Sequence, residues 1–224
     1  MQLLLPYFII LIIVFQLYLR KNSKKDKFSE ARYWERERKA NNVRKQDIEN
    51  LDYISVPDNL PAVTYGLTDT ADTSNSSNNS CGQFTGTSDK FCAALSAHHE
   101  IMSLKGQRIL NLTGLSNTDL KLKYGPANLA LLSSYDENYT KLVRSLHTCG
   151  KYFMETGNTA DGLKYLEFAI KCQTDISATY TILAEYYHNH NEYEKIALLA
   201  DTASKLNSMS KDVIESKLKT YLNK

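Results

Sequence analysis

Two adjoining stretches decide how this chain folds: Val143 to Ile176, VRSLHTCGKYFMETGNTADGLKYLEFAIKCQTDI, and Ser177 to Ser208, SATYTILAEYYHNHNEYEKIALLADTASKLNS. Laid over each other at an offset of 34 residues they match without a gap, small residue on small and aromatic on aromatic. Gly150 falls on Ala184, Phe153 on Tyr187, Gly157 on Asn191, Leu166 on Ala200 and Ala169 on Ala203, with Leu146 on Tyr180 and Cys149 on Leu183. Each stretch reads as two antiparallel helices. Gly150 and Ala184 let the first helix approach its partner closely, and Phe153 and Tyr187 fill the space between the two. Asn158 with Asp161, and Asn191 with Glu194, are placed to cap the second helix of each pair.

Period and pattern together resemble a pair of tetratricopeptide repeats, over about residues 143–208. Gly162 and Ile196 stand where that family favours Ala, and Thr174 and Ser208 replace its closing Pro. The resemblance implies an all-α fold, a short α-solenoid of two helical hairpins at about 143–176 and 177–208, within a repeat domain of 139–208. Two repeats need covers at both ends. At the far end a capping helix is expected in 209–224, begun by Ser210 and apolar along Val213, Ile214, Leu218, Tyr221 and Leu222. At the near end, short helices between Asn117 and Tyr135 take that role, inside an irregular helical cap of 91–138. A third regular repeat is rejected, because Asp119 would occupy its aromatic position. Beyond the repeats, Tyr33-Trp-Glu-Arg-Glu-Arg-Lys-Ala-Asn-Asn-Val-Arg-Lys, Leu51-Asp-Tyr-Ile, Asn111-Leu-Thr-Gly and Asp175-Ile-Ser-Ala-Thr-Tyr are similar to uncharacterised membrane-anchored repeat proteins of Gram-positive bacteria. No activity comes with that likeness.

In tetratricopeptide arrays the first helices line a concave face. The resemblance carries the groove positions onto Arg144, His147, Lys151 and Met154 of one helix and Ala178, Thr181, Glu185 and His188 of the next. Arg144, His147 and Lys151 recur at helical spacing, a basic stripe able to meet a carboxylate or an acidic peptide. The plainer alternative is a solvated charged face. Too few basic residues are present for a two-carboxylate clamp.

Outward from the repeats, Thr68 to Lys90 has no apolar period and contains Thr73-Ser-Asn-Ser-Ser-Asn-Asn-Ser80, so a disordered linker is expected over 57–90. Before it, 20–56 reads as a basic juxtamembrane segment and a charged helix from Ser29 to Leu51, either a solvated stalk or, through Tyr33 and Trp34, a helix docked on the headgroup region or on a second copy. Leu3 to Leu19 is almost wholly apolar and just long enough to span a thin bilayer, giving a transmembrane anchor in 1–19. Arg20, Lys21, Lys24, Lys25 and Lys27 follow it against one Asp26, so residues 1–27 carry +4 of a net +2 and the remainder carries −2. That balance gives nucleic-acid binding no electrostatic support. It makes the membrane a partner of residues 1–27, and the expected location is the cell membrane, single-pass, with the carboxy-terminal domain cytoplasmic.

Chemistry is sparse. No G-x-x-x-x-G-K-[ST], G-x-G-x-x-G or G-x-S-x-G sequence occurs, so no enzyme activity and no cofactor are expected. Cys81, Cys92, Cys149 and Cys172 lack C-x-x-C spacing and read as free thiols. His98, His99 and Glu100 offer the best side chains for a rival reading, a metal-dependent or accessory enzyme with its site in 91–138. The third reading is a structural membrane protein that self-associates around Trp34. The leading expectation is a membrane-anchored adaptor that binds a protein or peptide partner through its repeats.

Overall fold

The structure is a computed structural model, and it describes residues 11–16, 30–63 and 87–222. It is all-helical, with no strand among the described residues. The principal helices are α1 (30–41), α2 (Thr87–Ser103), α3 (Asn117–Tyr124), α4 (Leu129–Glu155), α5 (Thr159–Lys171), α6 (Ser177–Asn189), α7 (Tyr193–Ser204) and α8 (Lys211–Leu222). Two compact units divide the chain, Met1–Glu49 with Leu115–Ala130, and Asn50–Gly114 with Leu131–Lys224.

The expected single-pass membrane location, with a cytoplasmic carboxy-terminal domain, is corrected. Among the described residues no helix is long and apolar enough to cross a membrane. Of the span expected over 3–19, helix is described at 11–16. Six residues rise roughly 9 Å, against the roughly 30 Å of a hydrocarbon core. The rest of that span, and the whole basic cluster from Arg20 to Lys27, lie outside the described residues.

In the first unit, polar side chains hold the elements. Ser116 and Asp119 form a reciprocal capping box at the start of α3: Ser116 Oγ accepts from the Asp119 N–H at 3.2 Å, and Asp119 Oδ2 accepts from the Ser116 N–H at 3.1 Å. Glu37 of α1 accepts from Thr118 at 2.7 Å and from Lys121, and Arg36 pairs with Asp119. The charged helix expected from Ser29 to Leu51 stops at 41 instead. After Asn41 and Asn42, both weak helix formers, the backbone finds other partners. The Gln46 N–H donates to Tyr124 O at 3.0 Å, and the fully buried Asn128 donates from Nδ2 to Gln46 O at 2.8 Å.

The second unit holds two apolar clusters. One gathers Ala94, Ala97 and Ile101 of α2, Leu142, Leu146, Cys149 and Phe153 of α4, and Tyr165 and Ala169 of α5. Leu60 and Val63 are buried in it, and the Tyr165 hydroxyl donates to Pro61 O. The linker expected over 57–90 is therefore structured at both described ends: 57–63 is held by the core, and 87–90 belongs to α2. Residues 64–86 lie outside the described residues. The other cluster joins Leu166 and Ile170 of α5, Tyr180, Leu183, Ala184 and Tyr187 of α6, Ile196, Leu199 and Ala203 of α7, and Ile214 and Leu218 of α8. In α8 the expected apolar face is narrower than read, because Val213 stays half-exposed.

Two helix boundaries depart from the sequence reading. No break separates a cap ending at 138 from the first repeat, since α4 runs unbroken for 27 residues. Neither α5 nor α7 takes a side-chain cap: Asn158 donates to Asp161 Oδ2 at 2.8 Å, and Asn191 lies in the left-handed region at φ 59°. Loop packing also sets backbone demands. At Gly114, φ is 84°, and a Cβ would fall 2.1 Å from Asn207 O, so only glycine lets these two loops meet.

Candidate functional site

The apolar stripes of α4 and α6 fix which side chains are left to face outward. In α4, Leu146, Cys149, Gly150 and Phe153 turn into the core. Gly150 makes this possible, since a Cβ there would lie 2.5 Å from Leu166 Cδ2 of α5. His147, Lys151, Met154 and Glu155 then share a flanking side at intervals of three and four residues, with Met154 partly buried against the second cluster. In α6 the buried residues are Thr179, Tyr180, Leu183, Ala184 and Tyr187, which turns Ile182, Glu185, Tyr186 and Asn189 toward α4.

Two depressions result. The first, of about 270 Å³, lies between α2 and α4 and is lined by Lys90 and Ala93 with His147, Thr148, Lys151, Tyr152 and Glu155. The second, of about 320 Å³, lies between α4 and α6 and is lined by Lys151, Met154 and Glu155 with Ile182, Glu185, Tyr186 and Asn189. Lys151 and Glu155 border both, so the depressions adjoin along α4. The Tyr186 ring stacks on His190 at 4.1 Å between centroids, which steadies one wall of the second.

Charge on this face is mixed. Glu155 Oε2 accepts from Lys90 Nζ at 2.7 Å, while Lys151 Nζ stands 3.8 Å from Oε1. The hydrogen bond from Lys90 and the charges of both lysines hold the Glu155 carboxyl below the usual carboxylate range, against a smaller effect of burial. His147 Nδ1 lies 3.0 Å from Thr179 Oγ1. Burial, and then the Lys151 ammonium, push the His147 pKa below its ordinary 6.5, so the ring is neutral at pH 7. The basic stripe expected from Arg144, His147 and Lys151 thus loses one cation to burial, and a second is shared with Glu155.

Of the residues predicted from sequence, the structure gathers His147, Lys151, Met154 and Glu185 around the two depressions. Arg144 and Ala178 are exposed outside them. Thr181 turns its hydroxyl to Ser177 O at 3.0 Å. His188 sits among Tyr193 and Tyr221, with ring centroids at 5.6 and 5.9 Å, and its buried Nδ1 has no hydrogen-bond partner among the described residues. Sequence reasoning missed Lys90, Tyr152, Glu155, Ile182, Tyr186 and Asn189. Helical spacing from Lys151 and Glu185 points to Glu155 and Asn189, but Lys90 lies outside the repeat and no pattern in the chain connects it to α4.

The side chains of the rival reading diverge. His98 Nδ1 is 2.8 Å from the Tyr165 hydroxyl, His99 is exposed, and Glu100 accepts from Ser145 Oγ. Among the described residues no three His, Cys, Asp or Glu side chains cluster to hold a metal ion. The thiol reading holds for Cys149 and Cys172, both free and buried, with thiols pushed up to about 12 by burial. Cys92 departs from it, being disulfide-bonded. No family model matches the chain, and neither does any curated protein or solved structure.

Proposed function

We propose that this chain is a tetratricopeptide-like adaptor, two helical hairpins with covering helices, and that it acts by binding a protein or peptide on the face shared by α2, α4 and α6 rather than by catalysis. The repeat reading is supported by equivalent points 34 residues apart along the chain: the ends of α4 and α6 at Glu155 and Asn189, the starts of α5 and α7 at Thr159 and Tyr193, and the left-handed residues Gly157 and Asn191 at φ 85° and 59°. Ala169 and Ala203, matched in the sequence, are both fully buried.

The observation that carries the binding role is the pair of adjoining depressions on a surface whose reverse side is core. Recognition needs concavity, an apolar floor and a few charged groups at the rim. Met154, Ile182 and Tyr186 supply the floor, and Lys90, Lys151, Glu155 and Glu185 supply the rim. Affinity recovery with full-length protein and with a Lys151→Glu/Ile182→Asp variant tests this, with circular dichroism to show that both fold. Specific partners should be recovered by the first and lost by the second. Equal recovery by both would refute the assignment.

A further inference from the structure

The two depressions differ in sign, and the difference rests on residues that they do not share. Lys151 and Glu155 border both and cancel in the comparison. What remains is Lys90 in the first and Glu185 in the second. Counting all charged lining groups, the first holds two ammonium groups against one carboxylate, and the second holds two carboxylates against one ammonium group. Glu185 is exposed and forms no ion pair among the described residues, so its charge is available to a ligand. Lys151 is held loosely, at 3.8 Å from Glu155 where Lys90 is at 2.7 Å, so it can turn to a new carboxylate without stripping Glu155 of its partner. Beside Glu185 in the second depression stand Met154, whose flexible thioether adapts to a guest, Ile182, and the Tyr186 ring pinned on His190. The second depression, at about 320 Å³, falls at the lower end of the roughly 300–1,000 Å³ of ligand sites, a size for one apolar side chain and its neighbours.

We propose that this face binds a peptide of mixed charge, in the order acidic, apolar, basic: a carboxylate at Lys90 and Lys151, an apolar side chain over Met154, Ile182 and Tyr186, and a cation at Glu185. The proposal rests on the recognition role given above and narrows the partner from any acidic segment to one with both signs flanking an apolar anchor. Apolar burial supplies the affinity, and the ordered charges fix register and direction along the groove.

The test is selection of random nine-residue displayed peptides on immobilised full-length protein, repeated on Glu185→Lys and Glu185→Gln. The position is exposed, and circular dichroism confirms that the variants fold. Wild-type protein should enrich acidic, apolar and basic residues in that order. Glu185→Gln should relax the basic position, and Glu185→Lys should replace it with an acidic one. A synthetic wild-type winner, followed by fluorescence anisotropy, should bind Glu185→Lys roughly tenfold more weakly, a loss of about 1.4 kcal/mol. Enriched peptides whose charge order is the same on all three proteins would overturn the inference while leaving the recognition role standing. Absence of any enrichment would remove the recognition role itself. Sedimentation of the full chain adds one more outcome: a dimer that Glu185→Lys dissociates would make a second copy the occupant and overturn the peptide assignment.

Discussion

His147 shows how one residue answers to two environments. Its ring lies beside the first depression but bonds inward to Thr179, which is fully buried. Burial opposes the imidazolium, and Lys151 adds to the effect; His98 is pushed down as well, first by burial and then by His99 and Lys105. In the unfolded chain both rings take up a proton near pH 6.5, whereas in the folded chain they resist until the pH is lower. The unfolded state therefore binds more protons in that interval, and stability falls as pH drops below about 6.5. The exposed carboxylates held down by lysines, such as Glu155, have ordinary values near 4.5 and lose their contribution only at lower pH. Urea midpoints should be lower at pH 5.5 than at pH 7.5, and His147→Gln should shrink the difference. A midpoint insensitive to pH over this range would contradict the burial argument.

At the scale of elements, the packing of α4 on α5 is the joint that holds the face proposed for recognition in place. Ala at position 150 would improve helix propensity by about 1 kcal/mol, but its Cβ would press on Leu166, a fully buried side chain with little room to yield. Overpacking costs about 1–3 kcal/mol, so the clash prevails and Gly150→Ala should destabilise by about 1 kcal/mol. Combined with Leu166→Ala, its cost should vanish, because the two changes share one space. Strict additivity in denaturant titrations would show that the helices do not meet as described. This joint was legible in the sequence, because small residues matched at 150 and 184 leave a signature in the repeat. The end of α1 at 41 was not, since it depends on the backbone of Gln46 meeting Tyr124, far along the chain. Nor was the burial of Leu60 and Val63, in a stretch that falls within the linker expected over 57–90. For the face itself, the repeat pattern located α4 and α6 but favoured Arg144 and His188, whose positions on their helices turn out to lie beyond the depressions. Lys90 was invisible because the pairing of α2 with α4 is a tertiary contact with no local signal.

For the molecule as a whole, sulfur chemistry offers a check on the cores. Cys149 and Cys172 lie in the cluster that joins α2, α4 and α5, and their raised thiol pKa values leave almost no thiolate at pH 7. Iodoacetamide should leave both unlabelled in native protein and label both in urea. Cys92, bonded in a disulfide, should be labelled only after reduction. Rapid native labelling of Cys149 would mean that the core opens far more readily than its packing suggests.

The central proposal is that the α2–α4–α6 face, rather than the exposed side of α7, meets another macromolecule. A photo-activatable crosslinking residue placed at Ile182, beside the second depression, and separately at Leu198, an exposed position of α7, tests this in cells of the native host with full-length protein. Adducts of defined mass from position 182, absent from position 198 and lost when Lys151→Glu is added, are predicted. No adduct from 182, or the same adducts from both positions, would contradict the account.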